Sequence, residues 1–283
     1  MSTNSTLVLF GARGNLSRIK LIPGLFHLDE AGKLPDEMKI LSVGRQSVSQ
    51  EDWVKTIKSM LDEKFNNQYD QKVFERFIKR NIYHANLPDD PNAFKKFSEL
   101  LLTDDRFPKN FAFFLSVRPS DFALIVDQLA QENLLNEEQY WRRVLIEKPF
   151  GANLKSAIEL QLSISKHLKE TQIYRIDHYL GKSALQNILW TRFSNSIFEY
   201  MWNNEHIDHI QITNHETLGV GERTQFYDAT GALKDMTQSH LLQMLALTTM
   251  EKPRSFSPDD IRIEKIKLLK SIKPIPIDKI DKY

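Results

Sequence analysis

A chain of 283 residues has room for two domains or one large one. Hydrophobic residues make up 41% and charged residues 27% of it, as in an ordinary globular protein, and a net charge of +1 offers no global attraction for nucleic acid or an acidic membrane. The lack of cysteine excludes disulfides, thiolate nucleophiles and Cys-based zinc sites. It also suits a reducing cytoplasm. The N-terminus is short and polar, and the first apolar run reaches only from Leu7 to Phe10, so neither a signal peptide nor a membrane span is expected and cytoplasmic residence is the default.

Thr6 to Phe10 is β-branched and apolar and reads as a buried strand. Gly11 and Gly14 follow, then a helical pattern from Leu16 to Phe26 with Pro23 and Gly24 as a possible kink. Lys39 to Gly44, Asn110 to Val117 and Arg143 to Ile146 are further candidate strands, with helical segments such as Asp121 to Glu132 between them. Strands alternating with helices predict a parallel α/β sheet. Beyond Gly151 the pattern changes to helices through His167 and from Gly181 to Trp190, a strand from His209 to Thr213, and a long helix from Asp235 to Met250. The domain boundary is expected near residue 175.

A strand, then Gly11-Ala12-Arg13-Gly14, then a helix is the geometry of a dinucleotide phosphate turn. Glycines admit the pyrophosphate, and a helix N-terminus presents N–H groups and a positive dipole end. The spacing falls short of the full G-x-G-x-x-G fingerprint, and a plain tight turn explains it equally well. The second strand sharpens the choice. NAD sites place an acid there, whereas this chain has Arg45, which can fork onto a 2′-phosphate and favours NADP. A solvated loop arginine is the alternative. The distance from Gly11 to Arg45 also requires an extended first helix or loop.

Lys148 follows a buried-looking strand, where it could hold a hydroxyl or a phosphate. Its tripeptide Glu147-Lys148-Pro149 also occurs in the glucose–fructose oxidoreductase and myo-inositol dehydrogenase group. Arg175 to Lys182 packs an acid, an imidazole, a phenol and two cationic groups into one segment. His178, Tyr179 and Lys182 are donors suited to a phosphate monoester, and Asp177 needs another task. A polar surface turn remains the alternative for the whole segment.

Taken together, Gly11-Ala-x-Gly14-x-Leu16-x-x-x-Lys20-Leu21-x-Pro23, Glu147 to Gly151, Arg175-Ile-Asp-His-Tyr-Leu-Gly-Lys182 and Tyr227 to Gln243 resemble the glucose-6-phosphate dehydrogenase family, in order along the chain. The resemblance implies an NADP-dependent oxidation of glucose 6-phosphate to 6-phosphogluconolactone, with no metal. It implies His240 as general base, oriented by Asp177. It puts His178, Tyr179 and Lys182 at the substrate phosphate, and Lys148, Glu216 and Asp235 at the sugar. Gly11, Ala12, Arg13, Gly14, Asn15, Leu16, Lys20, Arg45 and Lys148 fall to the cofactor.

The implied fold is a Rossmann-like doubly wound sheet over 1–174, followed by an α+β substrate and catalytic domain over 175–283 with an antiparallel sheet that is incomplete. Arg13 and Asn15 stand where the family carries Ser or Thr and Asp, and Ser239 replaces the Asn before the base. Family members continue well past Leu269 into that sheet and its homo-oligomer interface. A non-catalytic remnant, or one half of a split enzyme binding NADP or a sugar phosphate, is therefore the alternative expectation.

Overall fold

The computed structural model describes residues 4–87, 90–215, 219, 221, 224–274, 276 and 278. The chain divides into two compact units, Met1–Ile176 and Asp177–Tyr283.

The first unit alternates strand and helix in chain order, except for two consecutive helices between its second and third strands. Its strands are β1 (Thr6–Phe10), β2 (Lys39–Gly44), β3 (Asn81–Ala85), β4 (Phe111–Leu115), β5 (Arg142–Glu147) and β6 (Ile173–Ile176). Its helices are α1 (Ile22–Glu30), α2 (Gln50–Phe65), α3 (Gln71–Arg80), α4 (Ala93–Thr103), α5 (Phe122–Gln131) and α6 (Leu154–Ser165). The strands form one sheet in the order β3-β2-β1-β4-β5-β6, and every neighbouring pair is parallel. Parallel pairing needs a crossover for each connection, which buries both faces and explains the continuous apolar runs. Strand β1 shows this directly. Val8 and Phe10 enter the core under α4 and α5, while Leu9 enters the opposite core with Ile22, Phe26 and Trp53. The chain winds away from β1 in both directions, so the crevice beyond its carboxyl end is the topological switch point where such sheets bind ligands.

Two strands escape sequence reading. Strand β3 follows α3 with no intervening turn residue, because Asn81 is both the helix C-cap and the first strand residue. Strand β6 is a four-residue edge whose Tyr174 and Arg175 are exposed, which hides its period. The expected kink at Pro23 resolves differently. A π-helical turn, Ser17–Leu21, runs into α1 with helical backbone at both Leu21 and Ile22, so Pro23 lies inside one continuous helix. Together with the turn after Glu30, this supplies the long path from Gly11 to Arg45.

The second unit contains α7 (Ser183–Phe193), α8 (Ser196–Met201), α9 (Thr224–Ala232), a π-helical run Leu233–Leu241 that continues into α10 (Leu242–Thr249), and α11 (Pro258–Ser271). Leu185, Phe193, Leu247 and Met250 form its core. The buried Arg192 guanidinium donates to the carbonyls of Leu247 and Met250 at 2.8 Å each, satisfying the C-terminal turn of α10. Burial pulls its pKa down to about 10, with Glu251 opposing. Trp202 Nε1 adds a 2.8 Å bond to the Thr248 carbonyl.

The antiparallel sheet expected here is not among the described residues. The segment expected as a strand from His209 to Thr213 carries no ladder, since a strand needs a neighbour and no described segment pairs with it. Among the described residues, no helix is long and apolar enough to cross a membrane.

Inside the first unit, fully buried Asn81 accepts from Trp53 Nε1 and from Ser42 Oγ, both at 2.9 Å. Asn81→Ala strands two buried donors and is expected to lower unfolding free energy by about 2–4 kcal/mol. A denaturant titration of the purified chain reads this directly, and a loss below about 1 kcal/mol contradicts the role given to this network.

Candidate functional site

The carboxyl edge of the parallel sheet collects the first group of expected residues. Gly11 adopts φ +77°, and a Cβ there would lie 2.1 Å from the Ser116 carbonyl oxygen, so only glycine lets the turn pass the end of β4. Gly11 and Ala12 N–H groups donate to the Val43 carbonyl, and Gly14 N–H returns to the Gly11 carbonyl at 2.8 Å. Buried Ser17 ties the same carbonyl from the following helical turn at 2.9 Å. Asn15 and Leu16 begin the helical winding, and Lys20 lies exposed one turn on.

At the end of β2, Arg45 is exposed, and residues 44–47 hold no acid. Arg13 reaches over to this edge, where its guanidinium donates to the Gln46 side-chain oxygen. Tyr83 donates to the Gln46 carbonyl at 2.8 Å, and its phenol leaves no room for a Cβ on Gly44. Burial raises the Tyr83 pKa, and the Arg13 charge works against that rise. A narrow glycine turn at a helix start, with two cationic forks and no carboxylate beside β2, fits a dinucleotide bearing a 2′-phosphate. Gln46 and Tyr83 were not singled out from sequence, where a loop glutamine and a strand tyrosine give no signal. Lys148 follows the end of β5 on the same edge.

In the second unit the segment after β6 meets the π-helical run. His240 is 1% exposed, and its Nδ1 lies 2.9 Å from Asp177 Oδ1 and 3.2 Å from Oδ2. Asp177 also accepts from the Tyr179 N–H at 3.0 Å, which fixes the carboxylate in its turn. The Tyr179 ring stacks on His240 at 3.8 Å between centroids, with planes 20° apart, and Lys182 Nζ sits 3.5 Å from the centroid of the Tyr179 ring. Asn214 donates to the Tyr179 hydroxyl oxygen at 2.8 Å. His178 meets His240 edge-on at 5.0 Å. Thus Asp177 and His240, expected as a pair, and His178, Tyr179 and Lys182, expected as a phosphate-binding group, gather in one place. Donor atoms of Asp177, His178 and His240 lie within 4.8 Å of one another, a spacing that a divalent cation could also use.

The π-helical winding bears on this cluster. Its hydrogen bonds run from i to i+5, which sets Asp235 one turn below His240, where an α-helix would rotate the two apart. Ser239 Oγ donates to the Asp235 carbonyl within that turn. Glu216 lies outside the described residues. With Nδ1 facing a carboxylate, Nε2 becomes the proton-accepting nitrogen, a tautomer assigned from the hydrogen bond.

A glycine turn at a sheet switch point and a buried histidine held by a carboxylate define a two-unit α/β protein of the dinucleotide-binding class. Two family profiles match the chain. One is described as glucose-6-phosphate dehydrogenase, NAD binding domain, over residues 8–187, and the other as its C-terminal domain, over residues 189–283. The chain belongs to the glucose-6-phosphate dehydrogenase family.

Among curated relatives, glucose-6-phosphate 1-dehydrogenase of Chlamydia pneumoniae is 42% identical over 95% of this chain and 54% of its own length. That of Bacillus subtilis is 39% identical over 100% of this chain and 58% of its own length. A solved glucose-6-phosphate dehydrogenase in complex with its substrate glucose-6-phosphate superposes with a TM-score of 0.88 at 35% identity, covering 98% of this chain and 57% of that one. The Mycobacterium avium enzyme superposes at 0.87 with 31% identity, over 96% of this chain and 57% of that one. The chain spans about half the length of the curated relatives it matches.

Gly11→Ala is expected to displace the turn and weaken NADP binding by roughly tenfold or more, since a Cβ there collides with backbone at positive φ. Gly24→Ala, where a Cβ meets nothing within 4 Å, is the control and is expected to leave affinity unchanged. Calorimetric titration of NADP into both variants checks this. Equal affinities contradict the assignment of the turn to the nucleotide.

Proposed function

We propose that this chain takes part in the oxidation of glucose 6-phosphate at C1 to 6-phosphogluconolactone, with NADP as the hydride acceptor. The observation that carries the reading is the Asp177–His240 contact, a buried imidazole presented by a carboxylate beside a cluster of phosphate-compatible donors. NADP, when bound, supplies the electrophilic nicotinamide that receives the C1 hydride.

His240 Nε2 takes the proton of the C1 hydroxyl as the hydride departs, which leaves a C1 carbonyl and an imidazolium. Asp177 holds Nδ1–H, fixes the tautomer and stabilises the cation that forms. Tyr179 stacked on the imidazole restricts its rotation, so the base is held in orientation before substrate arrives. His178, Tyr179 and Lys182 are assigned to the substrate phosphate, for which an ammonium, an imidazole and a phenol are suitable donors. Asp235, Glu216 and Lys148 are assigned to the sugar hydroxyls, with Lys148 also on the cofactor side.

Arg45 is assigned to the 2′-phosphate of NADP, and the glycine turn with Ala12, Arg13, Asn15, Leu16 and Lys20 to the remainder of the cofactor. The absence of an acid after β2 supports NADP over NAD. The lack of cysteine agrees with work in the cytoplasm.

His240→Asn is expected to abolish NADPH formation, at least a hundredfold by the usual scale of general-base loss, while glucose 6-phosphate affinity changes less than about threefold. Absorbance at the NADPH band and calorimetry read the two quantities. A large loss of affinity with retained turnover argues against the base assignment. Arg45→Ala is expected to weaken NADP by roughly 1.5–3 kcal/mol, the worth of a charge-assisted hydrogen bond, and NAD far less. Equal losses for the two nucleotides contradict the 2′-phosphate reading.

A further inference from the structure

The amino edge of the parallel sheet, opposite the glycine turn, carries a cavity that the proposed reaction leaves unused. Asn4, Glu37, Asn110 and Trp141 stand just before β1, β2, β4 and β5, which are neighbours in the sheet, and all four line it. The loop after α4 and the segment before β5 complete the wall. The volume is about 580 Å³, inside the range of roughly 300–1,000 Å³ in which small-molecule sites fall.

The walls are fixed by bonds that need no ligand. Buried Asn110 joins two strand starts, donating from Nδ2 to the Asn4 carbonyl at 3.0 Å and accepting from the Trp141 N–H at 3.1 Å. Thr6 Oγ1 donates to the Pro108 carbonyl at 2.8 Å. Arg142, 5% exposed, donates to the Lys109 carbonyl and lies 4.3 Å from the centroid of the Phe111 ring. A wall held this way loses little freedom when a ligand enters.

The charges on the wall select the ligand. Two carboxylates, Glu37 and Asp105, face two cations, Arg106 and Lys109. The cations are already engaged. Arg106 meets Asp104 at 2.6 Å, and Lys109 Nζ donates to the carbonyls of Leu101 and Asp104 at 3.0 and 2.9 Å. An anion is therefore repelled by the carboxylates without gaining an open cation, and a cation meets the fields of Arg106, Lys109 and Arg142. A neutral ligand escapes both penalties. The polar groups left over suit hydroxyls. The carboxylates of Glu37 and Asp105 and the amide of Gln139 have no hydrogen bond or ion pair among the described residues. The carboxylates accept, the amide does both, and the Trp141 indole N–H and the Tyr140 hydroxyl donate. Tyr140, 43% exposed, and Trp141 add ring faces against which C–H groups pack. Hydroxyls around the rim and a face of C–H groups are the make-up of a pyranose.

We propose that the cavity at the amino edge of the sheet is a binding site for a neutral pyranose sugar, stacked on Tyr140 and Trp141 and hydrogen-bonded through its hydroxyls to Glu37 and Asp105. The site lies wholly in the first unit and stands independently of the reaction assigned above.

The test is an NMR titration of the full chain, labelled with nitrogen-15, with methyl α-glucopyranoside, whose blocked C1 hydroxyl bars it from the oxidation. The indole N–H signal of Trp141, one of four tryptophans, is identified by its loss in Trp141→Phe. Saturable movement of that signal is expected, with a Kd on the order of millimolar. Glu37→Ala and Asp105→Ala change exposed side chains, and each is expected to weaken the sugar by roughly fivefold or more, through loss of a hydrogen bond to a charged group. The other three indole signals report that each variant is folded. Inorganic phosphate and spermidine, an anion and a cation, are expected to leave the Trp141 signal in place, and saturating glucose 6-phosphate to leave the sugar-induced movement intact. No movement with the sugar, movement that keeps its affinity in both alanine variants, movement abolished by glucose 6-phosphate, or a larger response to phosphate or spermidine overturns the proposal.

Discussion

A buried imidazole needs a partner, and the contact between His240 and Asp177 is the constraint on which the second unit is organised. With His240 at 1% exposure, leaving its Nδ1 unpaired would cost a substantial part of a domain's net stability. Asp177 removes that cost because its own turn is closed by the Tyr179 N–H, and Tyr179 in turn lies flat on the imidazole. The π-helical run Leu233–Leu241 delivers His240 to this place, in keeping with the tendency of π-type turns to occur at functional positions. Arg192 and Trp202 hold the C-terminal end of α10, so the helical run that carries His240 is fixed at its far end as well.

The first unit solves a different problem with the same economy of parts. Six parallel strands leave a crevice beyond β1 whose floor is backbone, and Gly11 is the residue that lets the turn lie against Ser116 there. The edge of β2 then sets the electrostatic character of the crevice. Arg13 and Arg45 bring positive charge to a place where a carboxylate would select the unphosphorylated ribose. Net charge near zero for the whole chain is compatible with this, because the cationic character is confined to a few side chains.

Much of the sheet was legible because buried parallel strands are continuous apolar runs. Thr6–Phe10, Lys39–Gly44, Phe111–Leu115 and Arg142–Glu147 all announce themselves this way. Strands β3 and β6 do not, the first because it starts at a helix cap and the second because half its residues face solvent at a sheet edge. The opposite error occurred at His209–Thr213, where alternation suggested a strand but pairing, a non-local property, is missing among the described residues. The long helix from Asp235 was visible in its leucines, but nothing in composition betrays π winding. The dyad was legible only through the family resemblance, since 63 residues separate its members.

The proposed removal of a proton by His240 as hydride leaves C1 is tested most directly by isotopic labelling. Glucose 6-phosphate carrying deuterium at C1 would be incubated with the chain and NADP, and the reduced nucleotide analysed by mass spectrometry, with Asp177→Asn and His240→Asn alongside. The account predicts deuterium in the nicotinamide ring of the product from the unmodified chain, much less from Asp177→Asn and none from His240→Asn. Reduced nucleotide without the label, or full label transfer by His240→Asn, would contradict it.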